Sequence, residues 1–166
     1  MKQLIAKYYI FALLIALILA GLWIYYSART REDITLAITV VGGIISFFYV
    51  VQKQQLEELQ TFKELFSDFN KRYDERNEQL NKMAGKKPDI PLTESELGTL
   101  NDYFNLCSEE YLYYTKGYIY PEVWEAWCNG MKYFLEDERI RNKWLVEEKT
   151  NSYYGLTLER ILKGSK

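Results

Sequence analysis

Hydrophobic positions first come as two unbroken runs and then as a spaced pattern. Tyr8 to Tyr26, YYIFALLIALILAGLWIYY, holds nineteen residues without a charge, and Ile34 to Val51, ITLAITVVGGIISFFYVV, holds eighteen. Each is long enough to cross a hydrocarbon core of about 30 Å. The seven residues SARTRED between them fit only a tight antiparallel connection. A cleaved signal peptide is the competing expectation for the first run. It is disfavoured because the run is long, no small-x-small site follows it, and a second run comes at once. The sequence thus predicts a two-span hairpin over residues 1–51.

Aromatic residues mark the expected interfaces: Tyr8 and Tyr9, then Trp23, Tyr25 and Tyr26, then Phe47, Phe48 and Tyr49. Lys2, Lys7, Lys53, Lys63 and Lys71 flank the hairpin, against Arg29 and Arg31 in its loop. The positive-inside rule then puts both termini in the cytoplasm, with the chain in the inner (cytoplasmic) membrane. Ala12, Ala16 and Ala20 step by four, and Thr39 with Gly43 and Gly42 with Ser46 offer notches for close helix contact. Neither run holds an ionisable residue, which argues against a proton or ion relay within the bilayer.

After Val51 charges appear, yet helical spacing continues. Leu59, Phe62, Phe66, Phe69, Tyr73, Arg76, Leu80 and Met83 alternate steps of three and four, the a/d pattern of a packed helix. Neither Pro nor Gly interrupts residues 52–84, so the second span is expected to continue as one coiled-coil-like stalk. The bulky aromatic residues suit packing on a small domain better than a two-stranded zipper. Whether the stalk docks on its own domain or on a second copy is left open, with Arg76 positioned to meet Glu109 or Glu110 in the first case.

The linker 85–92, GKKPDIPL, ends the stalk through Gly85, Pro88 and Pro91. Thr93 and Glu96 then form a capping box for a helix with Leu97, Leu100, Phe104, Cys107, Tyr111 and Tyr114 on its core face, ending at Gly117. Pro121 opens the next helix, lined by Trp124, Trp127, Met131 and Phe134. A fourth segment, about 138–149, carries Ile140, Trp144 and Leu145, and 156–162 closes the chain. The fold class is all-α: a transmembrane hairpin, a stalk and a helical domain over residues 93–166.

Composition narrows the chemistry. The 166 residues include no histidine, which removes imidazole ligands and bases. Cys107 and Cys128 match no metal spacing and read as buried packing residues. The adjacent carboxylates Glu57/Glu58, Glu109/Glu110 and Asp137/Glu138 point in different directions on a helix and read as solvated faces. No Gly-rich phosphate loop precedes a helix. From Asp89 onward nine basic residues face fourteen acidic ones, a net of minus five, which disfavours nucleic acid and anionic lipid. No catalytic, metal or cofactor residue is expected, nor an enzyme activity, nor a small-molecule substrate.

Residues 101–134, NDYFNLCSEEYLYYTKGYIYPEVWEAWCNGMKYF, resemble a pattern in a family of uncharacterised bacterial membrane-anchored helical proteins. The likeness rests on the aromatic helix ending at Lys116 and Gly117, the Ile119 turn, and Val123, Trp124 and Trp127. It implies membrane spans before a cytosolic helical domain, and it brings no activity. Tyr113, Tyr118 and Tyr120 lie off the core stripe or on the turn, and are the candidate partner-binding residues. The expected role is a membrane-anchored tether or adaptor that binds a protein partner or itself. The alternative is a toxin-like or defence-type effector whose spans assemble and permeabilise the bilayer.

Overall fold

The structure, a computed structural model, describes Lys2–Ser27 and Thr30–Ser165, with the side chains of residues 2–10, 12 and 27 left aside. Expectations for the side chains of Lys2, Lys7, Tyr8, Tyr9 and Ala12, and for Arg29, lie outside the described residues. Six helices and no strand are found among those residues: α1 (Lys2–Ser27), α2 (Arg31–Ala84), α3 (Glu94–Thr115), α4 (Pro121–Leu135), α5 (Glu138–Glu148) and α6 (Leu158–Lys163). The fold is all-α, as the spacing predicts. Two compact units divide within α2, at Leu59 and Gln60.

The first unit holds α1 and the front of α2. Thr30 caps α2 reciprocally with Asp33: the Asp33 amide donates to the Thr30 hydroxyl at 3.2 Å, and the Thr30 amide to Asp33 at 3.0 Å. The apolar segment that follows is long enough to cross a membrane and almost none of it is buried. Ala37 is its one buried side chain, near Ala16, Ala20, Trp23 and Ile24 of α1. The glycine notches expected to let the two backbones approach do not do so. A Cβ on Gly42 or Gly43 would meet nothing within 4 Å. Thr39, Gly42, Gly43 and Ser46 are exposed, because the face that meets α1 is the one carrying Ala37, Val40 and Ile44.

The second unit is a helical bundle. The stalk stripe supplies its core with Phe69, Leu80 and Met83, so this part of α2 packs on its own domain. Phe66 at the stripe's edge stays 38% exposed. Arg76 does not reach Glu109 or Glu110. It donates to the Arg72 carbonyl at 2.7 Å and lies 4.0 Å from Asp102. Arg72, one turn earlier, takes Glu109 at 2.6 Å.

Local chemistry fixes each boundary. The Thr93/Glu96 capping box forms as expected. At the end of α3, Gly117 takes a φ of +80°, and Tyr118 and Gly117 donate to the carbonyls of Tyr113 and Tyr114. This is a Schellman stop, which a residue with a Cβ closes at a cost. Pro121 begins α4. Asp137 caps α5 through the Arg139 amide, and the Arg139 guanidinium turns back onto the carbonyls of Met83 at 2.9 Å and Ile90 at 2.7 Å. One arginine thereby satisfies the end of α2 and ties the linker to α5.

Helix α3 runs through the middle of the bundle and is buried on more than one side. Aromatic pairs surround it: Phe104 edge-on to Trp144 at 4.9 Å, Tyr103 to Phe134 at 5.6 Å, and Tyr114 stacked on Trp124 at 5.1 Å. Each such pair is worth about 1 kcal/mol beyond its area. Trp144 is buried, whereas Leu145, expected beside it, is 38% exposed. Cys107 and Cys128 are free and buried.

Candidate functional site

The three tyrosines singled out in the sequence fall in different surroundings. Tyr118 is half exposed and sits edge-on to Tyr113 at 6.0 Å. Tyr113 is partly buried against Phe69, at 5.7 Å. Tyr120 is partly buried and packs on Phe62 at 4.4 Å. Ile119 between them is buried, so the turn is pinned to the core and turns Tyr118 outward. The bundle thus brings Tyr113 and Tyr118 together and gives Tyr120 a packing contact with the stalk.

A second feature lies where α2, α3 and α4 meet. A cavity of about 170 Å³ opens there, with Asn70 and Tyr73 on α2, Tyr103 and Glu110 on α3, and Ala126, Trp127, Gly130 and Met131 on α4. Sequence explains each wall. Tyr103 and Glu110 are seven residues apart, nearly two full turns, so they share one face of α3. Ala126 and Gly130 are one turn apart on α4 and contribute almost no side-chain volume. A Cβ on Gly130 would meet nothing within 4 Å. Glycine inside a helix costs about 1 kcal/mol relative to alanine, and here it leaves space open.

Glu110 contradicts the reading of the Glu109/Glu110 pair as a solvated face. Its neighbour Glu109 is partly exposed and paired with Arg72, whereas Glu110 is only 5% exposed and lines the cavity. No hydrogen bond to its carboxyl is found among the described residues. Burial pushes this carboxyl up to about 8, against a smaller opposing pull from the Arg72 charge, with Glu109 adding to the rise. At neutral pH Glu110 therefore carries its proton.

The groups around it are shifted by the same cause. Burial raises the Tyr103 phenol and the Cys107 thiol well above their ordinary values, and the Glu110 charge adds to both. Tyr73 is raised by burial too, and donates its hydroxyl proton to Asn77 at 3.1 Å. Across the core, burial pushes the Cys128 thiol up to about 12. A thiol held protonated is a poor nucleophile, so both cysteines serve as packing.

The site can bind; nothing in it pairs an activated nucleophile with a base. Sequence reasoning missed the cavity because it took Tyr103 off the core face of α3. The signal was the seven-residue step from Tyr103 to Glu110, together with the small pair Ala126 and Gly130 on α4.

Comparison with family models, with curated proteins and with solved structures finds no match. Nothing conflicts with the resemblance of residues 101–134, and no activity is added to it.

Proposed function

We propose that this chain is a membrane-anchored helical interaction protein, whose hairpin of two spans holds a binding bundle at the cytosolic face of the inner membrane. The observation that carries the reading is the double use of α2. Its front is an exposed apolar segment of membrane-crossing length, and its end supplies Phe69, Leu80 and Met83 to the bundle core. One helix thus serves as anchor and as structural member. Large apolar side chains exposed along both helices of the first unit, including Phe11, Ile18, Leu19, Ile38 and Phe47, suit a lipid surround.

The bundle acts by binding rather than by chemistry. Its acidic balance favours a protein partner over nucleic acid, and Tyr118, supported by Tyr113, is the contact we assign to that partner. Crosslinking of the full-length tagged protein in native membranes tests this. One dominant partner should be captured, and Tyr118→Ala should reduce its recovery without changing the thermal unfolding of the bundle. Tyr120 stays in place because it packs on Phe62. A variant that captures the partner as well as the parent protein does would refute the assignment.

A second reading, the pore-forming effector, draws on the exposed face of Thr39, Gly42, Gly43 and Ser46, whose glycines touch nothing. Recovery of copies of this chain alone, with loss of membrane potential on overexpression, would favour it. An intact potential with the protein assembled in the membrane would count against it.

A further inference from the structure

We propose that the cavity between α2, α3 and α4 binds a small organic ammonium ion, with Glu110 as its counter-charge among Tyr73, Tyr103 and Trp127. Four observations converge on this chemistry. Glu110 is almost fully buried, faces the cavity and has no hydrogen-bond partner among the described residues. A carboxyl this far buried is costly to hold as a charge unless a cation pairs with it, and its oxygens open onto the cavity, where such a cation would sit. Three aromatic side chains line the same space, and aromatic rings around a carboxylate make a site for alkylammonium groups through the ring quadrupoles. The nearest protein cation, Arg72, is already engaged by Glu109 at 2.6 Å. An anionic ligand would meet a carboxyl and no cation lining the cavity. A purely apolar ligand would leave Glu110 unsatisfied.

Volume sets the size. A cavity of about 170 Å³ compares with one of about 150 Å³ that holds benzene, so the ligand has about six heavy atoms. Tetramethylammonium, choline and short amines are of this class. Gly130 and Ala126 matter as absent bulk: larger side chains there would fill the site.

Binding changes protonation. The free Glu110 carboxyl holds a proton at neutral pH, and the bound cation needs the carboxylate, so each association releases one proton to solvent. The groups facing Glu110 are Arg72 and Tyr73 on α2 and Tyr103, Cys107 and Glu109 on α3; on α4, Cys128 feels the Glu110 charge and Tyr133 acts on Tyr73. Arg72, Tyr73, Tyr103, Cys107 and Cys128 are all raised from values already above neutral, which leaves Glu110 to change charge between about pH 6 and about pH 8. Cation affinity should therefore rise close to tenfold per pH unit over that range and then level off. This site does not depend on how the chain meets the membrane.

The experiment is titration calorimetry of the full-length chain in dodecyl maltoside micelles, with choline as the probe. Its uncharged carbon analogue, 3,3-dimethylbutan-1-ol, is the control. Choline should bind at least tenfold more tightly than the alcohol, with the pH slope above and about one proton released near pH 7. Glu110→Gln should abolish the preference for charge and the pH slope. Gly130→Leu should block binding while circular dichroism and a cooperative thermal unfolding transition keep their parent form, which separates a filled site from a misfolded one. Equal binding of the alcohol, choline binding that ignores pH, or the absence of saturable binding would each overturn the proposal. Phosphatidylcholine added to the micelles resolves the source of the ammonium group. Failure to displace choline supports a free cation, and displacement would overturn that in favour of a lipid headgroup.

Discussion

Replacing Glu110 with Gln isolates the cost of holding a carboxyl inside the bundle. In the unfolded chain this group titrates near 4.5, and in the folded protein burial pushes it up to about 8. The folded state thus binds the proton more tightly, and stability is lost as pH rises from the lower value to the upper one. About three and a half pH units at about 1.4 kcal/mol each sets a ceiling of roughly 5 kcal/mol. Water reaching the carboxyl through the cavity reduces this, and roughly 2–3 kcal/mol is the working expectation. Glu110→Gln keeps the shape and removes the titration. The variant should match the parent near pH 5 and exceed its stability by that amount near pH 9.

Urea unfolding of the full-length protein in dodecyl maltoside, followed by tryptophan fluorescence, reads this directly, because Trp124, Trp127 and Trp144 all lie in the bundle. The strongly shifted groups elsewhere in the bundle stay out of the window. Asp137, held low by the Arg139 guanidinium, and Glu96, held at about 2 by Lys86 and the Thr93 amide, lose their contributions only at lower pH. Cys107 and Tyr103 titrate well above it. A parent protein whose stability is flat or rising from about pH 5 to about pH 9, or a Gln variant that keeps the slope, would refute the reasoning.

Arg139→Ala leaves the Ile90 carbonyl without its donor, the Met83 carbonyl with only the Lys86 amide, and Asp137 without its counter-ion, and should cost about 3 kcal/mol by the urea midpoint. Arg139→Lys should recover less than half of that, since an ammonium cannot fork onto several carbonyls. Phe69→Ala should cost about 3–5 kcal/mol, whereas Tyr118→Ala should stay within about 0.5 kcal/mol, with thermal unfolding as the check. Gly117→Ala strains the left-handed stop of α3 and should cost about 1 kcal/mol in the same assay.

The elements were legible in the sequence because their ends are written in local chemistry. Thr93 with Glu96, Gly117, and Pro121 mark boundaries that depend on no distant contact. The stripe on α2 was legible for a similar reason, since Phe69, Leu80 and Met83 repeat with the period of a single buried face. Contacts between helices were less so. Arg72 rather than Arg76 meets Glu109, a difference of one turn that depends on the register between α2 and α3. The Arg139 clamp spans fifty-six residues to Met83, and no spacing within either segment announces it.

Glu110 shows why a central helix defeats a one-face pattern. A single stripe through Leu97, Leu100, Phe104, Cys107, Tyr111 and Tyr114 assigns everything else on α3 to solvent. Tyr103, Leu106, Ser108 and Glu110 are buried as well, and for Tyr103 and Glu110 the cover comes from α2 and α4 on a side that α5 leaves open. Once Tyr103 is placed inside, a seven-residue step carries Glu110 in with it. A carboxyl drawn in this way is costly unless something repays it, and the small side chains of Ala126 and Gly130 keep room beside it rather than filling that room with packing. Stability alone would favour an alanine at 130, whose Cβ would meet nothing within 4 Å, and a glutamine at 110. That both positions run against stability at one cavity is the physical reason to look for its ligand there.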